Sequence, residues 1–158
     1  MRRWRFLVTA AVLLLAASFV FEARGIEKIS PDPKGVALVD ELVKALSIAD
    51  ADARVKALLP LVHKSLLSRD GKDLDWNVKD YSYKKAWQNV KFYKQPVEIH
   101  EVHKGNVFTI GFRETAERGR GDKYFIKKKE GINGMPAPIS IFWPENGGDP
   151  KVIDMGSL

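Results

Sequence analysis

The hydrophobic pattern of this chain changes its period once, and that change limits the folds available to it. Between residues 33 and 66, apolar side chains recur every three or four positions, as in an α-helix with one buried face. After Gln95-Pro96 they alternate at every second position, as in a β-strand. Helices followed by meandering strands predict an α+β fold, with N-terminal helices packed on a curved, mainly antiparallel sheet.

Helices are predicted in the first half of the chain. Asp32 can cap a helix that begins at Pro33, because proline at the first helical position loses no useful donor. The apolar spacing extends this helix over 33–48. A second helix is predicted from Asp50 or Asp52 to about Leu66, where the turn 68–72 ends it, and Pro60 inside it must kink or restart it. A third, weaker helix is predicted over about 80–91.

Strands are predicted in the second half. Residues 97–100 and 108–112 are expected to form a hairpin around a turn at 104–106, because two alternating runs flank a glycine. The polar, glycine-containing stretch 117–122 is expected to be a loop. Further strands are predicted over 124–128, 139–143 and 152–155.

Residues 1–25 are predicted to be a signal peptide or an N-terminal membrane anchor. A basic start precedes an uncharged run, 6–21, of 16 residues, which is shorter than the roughly 20 residues that span a bilayer. Cleavage is expected after Gly25 or after Ser18. We therefore expect an exported protein, periplasmic or secreted or else held at the membrane by its N-terminus, in which 26–158 form a single α+β domain.

The composition of the chain excludes several classes of function. The net charge of +6 includes four arginines and one glutamate of residues 1–25, so the remainder carries only +3. A nucleic-acid partner is therefore not expected. The chain has no cysteine, which excludes disulfides, a thiol nucleophile and thiolate metal ligands.

No motif for catalysis or for metal binding is present. His100 and His103 would point to opposite faces of a strand, so no metal site and no cofactor are predicted. There is no Gly-x-Ser-x-Gly elbow and no phosphate-binding loop. We predict no catalytic residue and favour a non-enzymatic role, but leave open whether His63, Glu101 or Asp154 acts in a pocket.

The order of helices and strands resembles that of the nuclear-transport-factor-two-like superfamily, the cone-shaped α+β fold also called cystatin-like. The resemblance implies a cavity between sheet and helices, and a possible homodimer through the sheet. We expect that cavity to bind a small apolar or amphipathic ligand, or an envelope protein as partner. Its predicted lining consists of Phe108, Ile110, Phe112, Ile139, Ile141 and Trp143.

Two alternatives remain open. One is a small-molecule isomerase or dehydratase that uses a buried carboxylate and a tyrosine. The other is a cell-envelope interaction module, in which the basic and aromatic stretch 83–94 contacts an anionic polymer or a membrane. For the leading interpretation, membrane contact is expected only through residues 1–25, if they stay attached.

Overall fold

A computed structural model describes residues 26–113, 116–156 and 158; the predicted signal segment and its cleavage sites lie outside this part of the chain. The helices are α1 (Pro33–Leu46), α2 (Ala51–Leu58) and α3 (Lys84–Asn89), with a π-helix (Val78–Tyr83) and 3-10 turns at Lys64–Leu66 and Val90–Phe92. The strands are β1 (Lys28–Ile29), β2 (Ile99–His103), β3 (Val107–Ile110), β4 (Glu117–Ile126), β5 (Ala137–Pro144) and β6 (Lys151–Asp154).

The six strands form one sheet in the order β1-β2-β4-β5-β6, and β3 also pairs with β4. All pairings between these named strands are antiparallel. The predicted α+β class is therefore confirmed. Within the described residues, no helix is both long and apolar enough to cross a membrane.

Helix α1 supplies the helical half of the core. Its first turn is capped as predicted, because the Asp32 carboxylate accepts the Lys34 N–H at 2.8 Å. The apolar positions then fall on one side, where they meet the sheet. Its buried residues are Gly35, Leu38, Val39, Leu42, Val43, Ala45 and Leu46.

Helix α2 is shorter than the predicted second helix, which was to continue past Pro60 to Leu66. Its last residue is Leu58, two positions before Pro60, which has no N–H to extend the helical hydrogen bonds, and only the 3-10 turn Lys64–Leu66 follows. The chain then runs beside the last strand of the sheet, where Val62 pairs in parallel with Val152. His63 and Leu61 each make a backbone hydrogen bond to Val152. This segment covers the outer edge of β6.

The third predicted helix is longer than expected. Residues 76–92 are helical throughout, with a π-helix in the middle and a 3-10 turn at the end. We call this element the 76–92 run. Its buried side carries Ala86 and Val90, and its opposite side faces solvent.

The predicted hairpin is wrong. Strands β2 and β3 do not pair with each other; both pair with β4, one after the other along the same side. The residues expected to form the turn make a bulge instead, in which the Asp122 carboxylate accepts the Gly105 N–H at 3.0 Å. A Cβ at Gly105 would lie 1.4 Å from the carbonyl oxygen of Gly121, so only glycine allows this approach.

The predicted loop at 117–122 is also wrong, because these residues begin β4. Their polarity and two glycines resemble a loop, yet the glycines make room for rings that cross the strand. A Cβ at Gly119 would lie 2.6 Å from the Phe142 ring, and one at Gly121 would lie 2.7 Å from the Phe108 ring. Glycine in a strand, with an aromatic ring packed over it, has the same local sequence as a loop, and this explains the wrong prediction.

Candidate functional site

The six residues predicted to line a cavity lie in two different places. Ile139 and Ile141 are fully buried in the core shared with α1, and Trp143 packs against that core. Phe108 is on the other face of the sheet, where its ring lies 5.6 Å from that of Phe142. Ile110 shares that face by alternation on β3. Phe112 follows the strand and is 74% exposed.

Between helices and sheet, the side chains contact each other closely. Leu42 and Leu46 of α1 and Ile141 of β5 have no exposed surface. The Tyr124 ring packs so tightly on α1 that a Cβ at Gly35 would lie 2.2 Å from its hydroxyl oxygen. Burial raises the pKa of Tyr124 to about 12. A ring held this close to α1 acts as a packing element.

Two buried polar atoms in this region make no hydrogen bond of normal geometry in the described part of the chain: Nε1 of Trp143, and the hydroxyl of Tyr124, which lies near the backbone of Asp32. Leaving a buried donor unpaired costs about 1–3 kcal/mol of folding free energy. At these two side chains the close packing of the ring must outweigh that cost.

The buried histidine lies elsewhere, at the base of a surface cleft of about 390 Å³. His63 is 2% exposed. Its Nδ1 lies 2.9 Å from the Ser65 hydroxyl and accepts the Ser65 N–H at 3.1 Å. Its Nε2 lies 3.3 Å from a carboxylate oxygen of Glu117, and Lys64 contacts the same oxygen at 3.5 Å.

These contacts indicate which tautomer the neutral ring adopts. Because Nδ1 accepts a backbone N–H, the proton of the neutral ring is on Nε2 and is donated to Glu117. Burial lowers the pKa of His63 below its ordinary value, and the hydrogen bond to Glu117 opposes that shift. Both ring nitrogens are thus engaged, one of them in capping the 3-10 turn that begins at Lys64. The arrangement is that of a structural histidine.

The other titratable candidates are held at the surface by local contacts. Glu101 forms an ion pair with Lys28 and accepts a hydrogen bond from His103 at 2.7 Å. The bond from Lys28 lowers the pKa of Glu101. Asp154 is exposed and accepts the Gly156 N–H. Among the described residues, no group of three or more His, Asp or Glu side chains could hold a metal ion.

The exposed side of the 76–92 run is the most unusual surface in the structure. Trp76 and Tyr81 are each 69% exposed. Lys84 and Lys85 are also exposed, and they follow at helical spacing from the two rings. We call these four residues the aromatic–lysine face. Lys84 and Lys85 form no ion pair with a carboxylate of the described chain, so their charge is available to a partner.

The run is fixed to the rest of the fold by a buried guanidinium. Arg54 of α2 is 3% exposed. It donates to the Tyr83 hydroxyl at 2.7 Å and to the Ile48 carbonyl at 2.6 Å. Its guanidinium carbon also lies 4.4 Å from the centre of the Trp87 ring. Arg54 therefore attaches the 76–92 run, and with it the aromatic–lysine face, to α2.

Sequence reasoning identified part of this surface and missed the rest. The stretch 83–94 was singled out for its lysines and aromatics, but Trp76 and Tyr81 lie before it. Trp76 lies eight residues before Lys84, with Asp80 midway, so extending the predicted helix back to residue 76 would have placed it on the same side as Lys84. Arg54 could not have been found, because nothing in its neighbours marks a buried arginine.

Comparison of the chain with protein-family models, with curated proteins and with solved structures finds no significant match. The resemblance to the nuclear-transport-factor-two-like superfamily stays a prediction that rests on the order of elements.

Proposed function

We propose that this protein is a non-enzymatic interaction module of the cell envelope, which docks on an anionic lipid bilayer through its aromatic–lysine face. The observation that supports this most directly is the exposure of Trp76 and Tyr81 beside unpaired lysines on one helical surface. Large exposed aromatic side chains are unusual on a surface without a partner.

The charge of the run supports an anionic partner. Residues 76–94 contain five lysines and one aspartate. Lys79 is paired with Asp73 and Lys94 with Glu98, while Lys84 and Lys85 remain available. A lysine near an anionic membrane surface contributes about 1 kcal/mol to binding.

The aromatic side chains favour a bilayer over a purely electrostatic partner. Tryptophan and tyrosine are enriched at membrane interfaces, where the ring meets acyl chains and the polar atom meets water. An element lying in that interface needs one apolar and one cationic component, and this face has both. The predicted N-terminal segment 1–25, if attached, would place the domain next to such a surface.

Vesicle sedimentation tests the proposal with a chain that begins at Ile26, so that residues 1–25 add no affinity of their own. We expect binding to vesicles of 70% phosphatidylcholine and 30% phosphatidylglycerol, and little to phosphatidylcholine alone. The Lys84→Gln/Lys85→Gln variant should bind about tenfold more weakly or worse. The Trp76→Ala/Tyr81→Ala variant should also lose binding while its thermal unfolding stays unchanged.

Two control variants match these changes elsewhere on the surface. Phe112 is as exposed as Trp76, so Phe112→Ala should leave vesicle binding intact. Lys56→Gln/Lys123→Gln removes the same charge from other exposed positions. If the controls weaken binding as much as the test variants do, a general charge or hydrophobicity effect replaces the proposed face. If the wild-type chain does not sediment with anionic vesicles, the proposal fails.

A further inference from the structure

A groove separates the end of α1 from the last part of the 76–92 run. It is lined on one side by residues 46–49 and on the other by four residues between 87 and 91. Its volume is about 530 Å³, which lies within the roughly 300–1,000 Å³ typical of sites for small ligands. None of the four residues of the aromatic–lysine face lines it, so this groove is a second surface feature of the run.

The base and one wall of the groove are apolar. Leu46 is fully buried and Val90 is 4% exposed, so these two aliphatic side chains lie at its base. Trp87, which is 41% exposed, adds an aromatic wall that the Arg54 guanidinium supports. Arg54 also donates to the Ile48 carbonyl at 2.6 Å, so this backbone acceptor beside the groove already has a partner. An alkyl chain placed here would therefore bury apolar surface against apolar surface.

One cation lies at the rim of the groove. Among the lining residues, Lys91 alone is charged. Its Nζ lies 5.1 Å from the centre of the Phe92 ring, and it forms no ion pair with a carboxylate of the described residues. Gln88, three residues earlier and therefore on the same side of the helical run, adds an amide that can donate to the same anion. Three other clefts of similar size are each lined by at least one aspartate or glutamate, which would repel an anion.

This combination complements a molecule that has one negative charge and a long apolar body. A lysine ammonium is a compact point charge, and it pairs with a single carboxylate without the planar geometry that arginine imposes. Because the groove is open to solvent and aliphatic at its base, a flexible alkyl chain can follow it. We propose that this groove binds a free fatty acid anion, with the carboxylate at Lys91 and Gln88 and the chain over Leu46 and Val90. This inference does not depend on the proposed bilayer docking, which uses a different set of side chains.

A nuclear magnetic resonance titration with dodecanoate, kept below its critical micelle concentration, tests the proposal. It uses a chain beginning at Ile26, which contains every described element of the fold. We expect saturable shifts of the Trp87 indole N–H resonance, assigned with a Trp87→Phe variant, and a Kd of about 1 mM or tighter, as is usual for a ligand of this size. The indole of Trp143, which packs against the core, should not shift. Dodecyltrimethylammonium has the same chain and the opposite charge, and it should bind at least about fivefold more weakly.

Two variants separate the contribution of the charge from that of the groove. Lys91→Gln should weaken dodecanoate binding about fivefold and remove the preference over dodecyltrimethylammonium, whereas Lys72→Gln, at another exposed position, should have no effect. Ala49→Phe places a ring in the groove and should abolish binding, and Ala53→Phe is its matched control at an exposed position of α2. All four positions are exposed, so each variant should keep the wild-type melting temperature within about 3 °C.

Three results would overturn the inference. The first is the absence of a saturable shift at the Trp87 indole. The second is equal affinity for dodecanoate and dodecyltrimethylammonium, which would indicate general adsorption of alkyl chains. The third is unchanged binding in Lys91→Gln and Ala49→Phe, which would place the ligand elsewhere. Lys84→Gln/Lys85→Gln should bind dodecanoate as the wild-type chain does, so a failure of vesicle binding and a failure of fatty acid binding are separate results.

Discussion

Helix α1 and the 76–92 run are both amphipathic, but they use their large side chains in opposite ways. In α1 the largest apolar residues point inward, and Leu42 and Leu46 have no exposed surface. In the 76–92 run the buried residues are Ala86 and Val90, and Tyr83 and Phe92 are only partly buried, while Trp76 and Tyr81 face solvent. Burial of large side chains is the main source of stability, so α1 contributes mainly to folding. The run retains apolar surface that folding does not use.

The largest effect should come from removing a large side chain from α1. We expect Leu42→Ala to lower the free energy of unfolding by about 2–5 kcal/mol, because it leaves a cavity between α1 and the sheet. The adjacent, exposed Glu41→Ala should change it by about 0.5 kcal/mol or less. Urea denaturation measures both. A loss below about 1 kcal/mol for Leu42→Ala would show that this face is not closely packed.

The contact between α1 and β4 gives the next largest effect. Gly35→Ala should lower the free energy of unfolding by about 1–2 kcal/mol, because the overlap with Tyr124 outweighs the roughly 1 kcal/mol of helix propensity that alanine adds. Tyr124→Phe alone should be neutral or stabilising, since it removes a buried hydroxyl that makes no hydrogen bond of normal geometry.

The double variant shows whether the Tyr124 hydroxyl causes the loss of stability in Gly35→Ala. In Gly35→Ala/Tyr124→Phe we expect part of the loss to be recovered, since the ring carbons remain close to the new methyl group. Strict additivity of the two single variants would contradict a direct clash at the hydroxyl.

Within the 76–92 run, two tryptophans should behave differently. Trp87 stacks on the buried Arg54, so Trp87→Ala should lower the free energy of unfolding by about 1 kcal/mol. Trp76 is 69% exposed, and Trp76→Ala should change it by about 0.5 kcal/mol or less. Thermal unfolding of the two variants compares them directly. Equal losses would mean that the exposed ring also stabilises the fold.

The smallest effect concerns pH and the one buried histidine. Burial lowers the pKa of His63 below its ordinary value of 6.5, so the unfolded state binds the proton more tightly. Stability from the neutral ring is present above about pH 6.5 and is lost as the pH falls toward the folded pKa. We expect the melting temperature of the wild-type chain to fall more between about pH 7 and pH 5 than that of His63→Gln. Parallel pH profiles would show that His63 does not titrate on unfolding.

The sequence predicted helices and strands correctly where neighbouring residues alone determine the local conformation. The capping of α1 by Asp32 follows from local chemistry. The interruption of the second helix near Pro60 does so too, although that helix does not continue to Leu66 as predicted. Strand β5 followed from alternation, with Ile139 and Ile141 buried as that pattern implies.

Prediction failed where distant residues decide the local conformation. The sequence around Gly105 predicts a turn, but its close approach to Gly121 and its bond to Asp122 make it a bulge. The sequence around Gly119 predicts a loop, but the residue lies in a strand with the Phe142 ring packed over it. The partner that defines each glycine's role lies more than ten residues away, and no local pattern contains it. The same holds for the candidate surface, because which side of the 76–92 run is buried depends on Arg54 and the core.

The covered edge of β6 also limits how copies of this protein could associate. A fibre that grows by strand pairing needs two open edges on every copy, one to receive and one to offer. Because Val62 pairs with Val152, the β6 side is closed at that position, and the strands of the described chain with an unpaired edge, β1 and β3, lie at the other end of the sheet. Two copies could pair along that end and then stop. The short segment after Pro60 therefore limits assembly by strand pairing to two copies.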